Sequence, residues 1–274
     1  MSDTSLVGVL RERASLQPED IAYTFMDYDH EWDGVATTLT WSQLNRRVRN
    51  LAVEMRAHGQ IGDRAVILAP QGLEYVIGFL ASLEAGIIAV PLSVPMVGQH
   101  DERVSAVIKD SAPSIILTTS AVAATVAEYA AGSDDAAAAK VIEVDALDLE
   151  ARRKALSSRE TKPETAYLQY TSGSTRTPAG VMVTNRNLTS NFEQMMCDFF
   201  PHFGKVPPAG AHVVSWLPFY HDMGLMLGIV APILGGWRTV FTTPLSFLAR
   251  PARWMQLMGS YPRVVTAGPN FAFE

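Results

Sequence analysis

The chain reads as an α/β protein built on mostly parallel sheets flanked by helices. Three observations carry that reading. Short β-branched runs alternate with longer amphipathic runs along most of the sequence, the rhythm of β-α-β units. Apolar residues make up 48% and charged residues 18%, a balance that supports a packed core and argues against disorder. The length of 274 residues exceeds one average domain and suffices to bury a large core.

The elements follow in order. "RAVILA" (64–69) is a buried strand, and "GLEYVIGFLASLEAG" (72–86) is a helix with apolar residues at helical spacing and a glycine to stop it. "IIAVPL" (87–92) is the next strand. Pro91 and Pro95 put it near an edge or an end, because proline cannot donate to a ladder. "RVSAVIKDS" is a helix; "SIILTTS" and "VIEVDA" are strands. The Ala-rich stretch 120–140 predicts a solvent-facing helix with a loose loop and no chemistry. The charged segment 146–164 reads as a surface connection, which divides the chain into parts 1–164 and 165–274. Beyond it, "TAYLQY" and "VMV" are strands around a polar loop, and 185–200 is a helix capped by Thr184 or Asn185. "HVVSWL", a helical "MGLMLGIVAPILGG", "RTVFTT", a helix opened by Pro251 and the strand "RVVTAG" complete the series.

Charge and special residues exclude several classes. A net charge of −6 is no nucleic-acid footprint. Cys197 is the one cysteine, so no intramolecular disulfide forms, and a reducing compartment fits; its apolar helical context predicts a buried thiol. The N-terminus lacks the basic-then-apolar layout of a secretory signal. The longest apolar run, 223–237, is shorter than the ~20 residues that span a bilayer, so no transmembrane segment is expected and a cytoplasmic setting is the default. The histidines at 30, 58, 100, 202, 212 and 221 form no pair at metal-ligand spacing, so no protein-built metal site is expected.

The loop "YTSGSTRTPAG" (170–180) is the strongest local signal. Gly173 admits backbone angles closed to other residues, so successive N–H groups can turn into one concavity that suits phosphate oxygens. Thr171, Ser172, Ser174 and Thr175 add hydroxyl donors, and Arg176 can add a charge-assisted bond. On composition alone, an ordinary turn-rich connection competes with that reading. The Walker pattern is missing, which removes P-loop NTPases, and no GxGxxG follows a strand, which takes away the best support for a Rossmann dinucleotide fold.

"YTSGSTRTPAGVMVTNRNL" resembles the phosphate-binding signature of the adenylate-forming (ANL) superfamily: acyl-CoA synthetases, luciferases and peptide-synthetase adenylation domains. The common form is [YF]TSGSTGxPKGV followed by His-x-Asn. Arg176 stands for the usual glycine, Ala179 for the usual lysine and Asn185 for a frequent histidine. The "STRTPAG" variant is similar to fatty-acyl-AMP ligases of mycobacterial type. "SWLPFYHDMGL" (215–225) resembles the next signature of the superfamily, and "TLTWSQL", "FLARPARWMQLMG" and "AGPNFAFE" look like the same ligases.

The resemblance implies the N-terminal portion of the ANL fold and activation of a long-chain fatty acid by ATP, with Mg²⁺, to an acyl adenylate. An acyl carrier protein or polyketide synthase would take the product. It implies that Thr171, Ser172, Gly173, Ser174, Thr175 and Arg176 hold phosphates and that His221 sits by the reacting carboxylate. Asp222 is read as a helix N-cap. Trp216, Met223, Gly224, Met226, Leu227, Gly228 and Asn270 are the expected acyl-pocket residues, the two glycines leaving width for the chain. Later superfamily motifs and a C-terminal lobe with a catalytic lysine are not found within 1–274, so this piece alone is not expected to complete adenylation. A fatty-acid–CoA ligase and a non-catalytic nucleotide- or acyl-binding fragment are the alternatives.

Overall fold

The computed structural model describes residues 5–95, 101–130, 138–151, 153, 156, 162–171 and 178–274. They fall into two units. The first comprises Met1–Asn45, Gln71–Leu73 and Arg186–Glu274; the second comprises Arg46–Pro70 and Glu74–Asn185.

The first unit holds a five-stranded sheet of order β11-β9-β10-β1-β2. Its strands are β1 (Ile21–Asp27), β2 (Val35–Thr40), β9 (His212–Ser215), β10 (Arg238–Phe241) and β11 (Val264–Val265). All pairs are parallel except β1 with β2. Val213, Val214, Val240 and Phe241 are buried in the two central strands. Such continuous apolar runs suit parallel strands covered on both faces, whereas edge strand β2 exposes Thr37 and Thr38. Helix α1 (Leu6–Leu16) starts at Ser5, whose hydroxyl accepts from the Gly8 N–H. The remaining helices are α6 (Asn185–Phe199), α7 (Asp222–Leu225), α8 (Ala231–Gly235), α9 (Pro244–Ala249) and α10 (Ala252–Gly259).

The second unit holds six strands in the order β6-β5-β3-β4-β7-β8. They are β3 (Arg64–Ile67), β4 (Ile88–Pro91), β5 (Ile115–Thr118), β6 (Lys140–Glu143), β7 (Thr165–Thr171) and β8 (Ala179–Thr184). Only β8 runs antiparallel, to β7. Helices α3 (Leu73–Ala85), α4 (Glu102–Ser111) and α5 (Ala123–Ala130) belong to its crossovers, and α2 (Trp41–Arg56) leads in from the first unit. The Asp101 carboxylate caps α4 by accepting from the Arg103 and Val104 N–H groups. Val66, Val90, Ile116, Val104 and Tyr129 share one core between sheet and helices.

The α/β expectation holds, with two sheets. Pro91 ends a central strand opposite Ile67, and the Leu92 N–H after it makes the last bond to that strand by donating to the Ile67 carbonyl. The units do not part at residue 164: β7 extends the second unit's sheet by pairing with β4, and a hydrogen-bonded sheet does not divide there. In the Ala-rich stretch α5 forms; 131–137 lie outside the described residues, as does most of 152–161. Cys197 is corrected: it is exposed. Met196 packs in the core, and the 100° step of an α-helix turns the next side chain outward. Helix α9 was not expected from the sequence; Thr243 caps it, its hydroxyl accepting from the Ser246 N–H at 3.0 Å, with Pro244 as first residue.

Candidate active site

The signature that follows β9 is built tightly. Strand β9 ends at Ser215, whose hydroxyl accepts from the Leu217 N–H. Trp216 is buried. Its ring lies flat on Phe247, centroids 3.8 Å apart at 4°, with Trp254 edge-on and Phe271 tilted against it. Phe273 in turn meets Trp254, so the Asn270–Phe273 turn closes one side of this aromatic group, with Asn270 itself exposed.

Gln71 holds the exit of the sheet together. Its Nε2 donates to the carbonyls of Thr242 (2.7 Å) and Leu217 (3.2 Å), and its Oε1 accepts from the Phe219 N–H at 3.0 Å. One side-chain amide thus joins the chain leaving β9 to the chain leaving β10. The sequence reading missed this residue; glutamine after proline in "APQG" carries no signal by itself.

Beyond Phe219 the chain turns, the His221 N–H donating to the Pro218 carbonyl, and helix α7 begins. His221, not Asp222, is the N-cap residue, which corrects the expected cap. Asp222 is the first helical residue, and its Oδ1 accepts from the Met223 N–H while lying 2.5 Å from His221 Nδ1. That contact requires the proton on Nδ1. Nε2 is left to meet a ligand, as an acceptor in the neutral ring or a donor in the imidazolium. Both side chains are exposed, His221 by 64%. The carboxylate at the first turn also complements the helix dipole.

The helix carrying the expected pocket residues is interrupted by a π turn, Met226–Val230. Pro232 has no N–H, and its ring crowds the carbonyl four residues back; the wider turn absorbs both. The Tyr23 hydroxyl donates to the Ile229 carbonyl within this turn. Leu227 joins the core around Trp216, Met226 is half-buried and Met223 is exposed. The two glycines are corrected in their role. A Cβ on Gly224 would stand 2.0 Å from the Pro218 carbonyl oxygen, and one on Gly228 would stand 2.4 Å from the Phe219 ring. Protein already fills the space beside both, so they serve close packing of the turn on the helix.

In the second unit, β7 and β8 form the hairpin that leads into and out of the Gly/Ser/Thr loop. Ser172, Gly173, Ser174, Thr175 and Arg176 lie outside the described residues. Thr171 is the exposed last residue of β7, opposite Ala179. Tyr170 and Gly180 face each other across the hairpin, and a Cβ on Gly180 would reach 2.9 Å from the Tyr170 ring. The Tyr170 hydroxyl donates to Asp110 Oδ2 at 2.5 Å, tying the entry of the loop to α4. Burial, then this bond, pushes the Tyr170 phenol above its usual range. The structure therefore brings together Trp216, Leu227 and the Asn270 turn around one aromatic group, and seats His221 at the carboxyl edge of the first unit's sheet. Open α/β sheets bind ligands at that edge. Among the described residues no three His, Cys, Asp or Glu side chains come together as a metal cluster.

Comparison with known proteins decides the family. The model of the AMP-binding enzyme family matches residues 10–273. The chain belongs to the AMP-binding enzyme family. The long-chain-fatty-acid–AMP ligase FadD28 of Mycobacterium tuberculosis is 56% identical over 274 residues, covering 100% of this chain and 47% of that protein. A Mycobacterium leprae protein named provisionally as fatty-acid–CoA ligase fadD21 is 58% identical over the same length, covering 100% of this chain and 47% of that protein. A crystal structure of a fatty acyl-adenylate ligase from Legionella pneumophila, in complex with acyl adenylate and pyrophosphate, superposes with a TM-score of 0.83 at 31% identity. It is covered over 45% of its length by 99% of this chain. The AMP-binding chain described here thus spans about half the length of the relatives it matches. Among its described residues no helix is long and apolar enough to cross a membrane.

Proposed function

We propose that this chain is the N-terminal part of a fatty-acid–AMP ligase. The whole protein would join a long-chain fatty acid to the α-phosphate of ATP, release pyrophosphate and pass the acyl group to an acyl carrier protein or polyketide synthase in lipid biosynthesis. A cytoplasmic setting goes with that role. The observation that supports this reading is the Asp222-held His221 at the carboxyl edge of the first sheet, in a chain 56% identical to a long-chain-fatty-acid–AMP ligase.

The chemistry asks little covalent work of the protein. A carboxylate oxygen attacks the α-phosphorus, the bond to the bridging oxygen breaks, and pyrophosphate leaves without a proton transfer. The site must hold two anions together and offset the charge that builds on the phosphate oxygens. His221, its Nδ1–H kept by Asp222, presents Nε2 to those oxygens and donates when the ring is charged. The loop of Thr171, Ser172, Gly173, Ser174, Thr175 and Arg176 cradles the outer phosphates. Mg²⁺ would arrive on those phosphates, a hard cation that favours their oxygens. Trp216, Met223, Met226 and Leu227 offer apolar wall to the acyl chain, with Gly224, Gly228 and Asn270 shaping the backbone around it.

A non-hydrolysable acyl-adenylate analogue tests the reading. The chain should melt at a higher temperature with the analogue than without it, by the mass action of a ligand that binds only the folded state. The shift should shrink in His221→Ala. No shift at saturating analogue would end the proposal. The 58% identity to a protein provisionally named as a CoA ligase favours a second reading, and mass spectrometry on the whole protein separates the two. Acyl-AMP that persists when CoA is added supports the AMP ligase, whereas conversion to acyl-CoA supports the other.

A further inference from the structure

A cavity of about 580 Å³ lies at the opposite, amino edge of the first unit's sheet. Its floor includes His212 and Arg238, the first residues of β9 and β10, which stand side by side in register. The turn that carries His221 leaves the carboxyl end of β9, so this cavity is a separate place.

The lining is unbalanced in charge. Arg13, Lys205 and Arg238 bring three cations; Asp20 is the one carboxylate, 4.0 Å from Arg238 with both side chains half-exposed. Arg13 is fixed: its Nη2 donates to the Leu234 carbonyl at 2.9 Å, and its guanidinium fills the space beside Gly236, whose φ of +68° suits glycine. Trp237 is only 5% exposed. Three cations against one carboxylate ask for a ligand with negative charge. The other wall is apolar, made by Phe192, Met196, Val206 and Pro207.

We propose that this cavity binds an amphiphilic anion: a carboxylate or phosphate head held by Arg13, Lys205 and Arg238, on an apolar stem lying against Phe192 and Met196. The proposal rests on the first unit alone and is independent of the ligase reading, because neither His221 nor the phosphate loop takes part.

The test follows the indole N–H resonance of Trp237, assigned with Trp237→Phe, while the 274-residue chain is titrated with octanoate, octyl phosphate, inorganic phosphate and octylamine. Octanoate or octyl phosphate should move that resonance saturably, and which of the two binds more tightly names the head group. Arg238→Gln and Lys205→Gln, both on exposed side chains, should each weaken binding about tenfold, the loss of one charge-assisted hydrogen bond. His221→Ala should leave it unchanged. The idea is overturned if neither amphiphile moves the resonance, if octylamine binds as well, if inorganic phosphate alone binds as tightly as the amphiphiles, or if both charge variants bind like the parent chain.

Discussion

Single residues set the shape of the turn before His221, and Gly224 there and Gly259 elsewhere give contrasting tests. Gly224 touches the Pro218 carbonyl where a Cβ would stand 2.0 Å away, so backbone must move to admit a methyl group. Gly224→Ala is expected to lower stability by about 1–3 kcal/mol, the usual penalty of overpacking. Gly259, at the end of α10, has nothing within 4 Å of its would-be Cβ, and Gly259→Ala should be neutral or stabilise by about 0.4–1 kcal/mol through the unfolded chain. Denaturant titration of the two variants checks the pair; equal effects would show that the Pro218 contact does not constrain the helix. Gln71 is tested differently. Gln71→Glu keeps an acceptor for the Phe219 N–H but turns two good contacts, to the Leu217 and Thr242 carbonyls, into oxygen facing oxygen. It should destabilise at least as much as Gln71→Ala, by about 1–3 kcal/mol, and relax as the pH falls and the carboxyl regains a donor. A Gln71→Glu variant as stable as the parent would remove Gln71 from its bridging role.

At the level of elements, the sequence announced what depends on period and hid what depends on neighbours. The strands at 64–67, 115–118 and 212–215 and the helix at 73–85 lie within or beside the stretches their apolar spacing marks, because burial on both faces demands continuous apolar runs. Helix α9 was hidden, since "PLSFLA" is too short to show a period and its start rests on the Thr243 cap. The π turn at Met226–Val230 was equally illegible; a proline in an apolar run announces a disturbance but not its geometry. Cys197 shows the limit on the site side: apolar composition around it could not give its phase on α6. The β7–β8 hairpin offers a test at this scale. Gly180 leaves room for the Tyr170 ring that faces it, so Gly180→Val must push the ring off Asp110. Amide exchange should then quicken in both strands of the hairpin while β3 and β5 stay protected. Unchanged exchange in β7 would mean that the ring does not order the hairpin.

Across the whole molecule, each unit buries a tyrosine whose hydroxyl is committed to one acceptor: Tyr23 to the Ile229 carbonyl in the first unit, and Tyr170 to Asp110 in the second. Burial pushes both phenols above their usual range, for Tyr170 with a further push from the neighbouring carboxylate. A folded pKa above the unfolded value means that the native chain keeps protons the unfolded chain releases. The two states carry the same phenol protons below about pH 9, so stability there is unaffected by these groups. Above that value the unfolded chain ionises first, and stability must fall as the pH rises. Tyr23→Phe and Tyr170→Phe should each flatten that alkaline decline, read as the slope of unfolding free energy against pH between about 9.5 and 11. Each should also start from a lower neutral-pH stability, by about 1 kcal/mol, because the Ile229 carbonyl or the Asp110 carboxylate loses its donor. The double variant should be flatter than either single one, since the two phenols stand in different cores. If the slope of the double variant matches that of the parent chain, the alkaline loss arises elsewhere and the two buried hydroxyls are not the proton-linked groups.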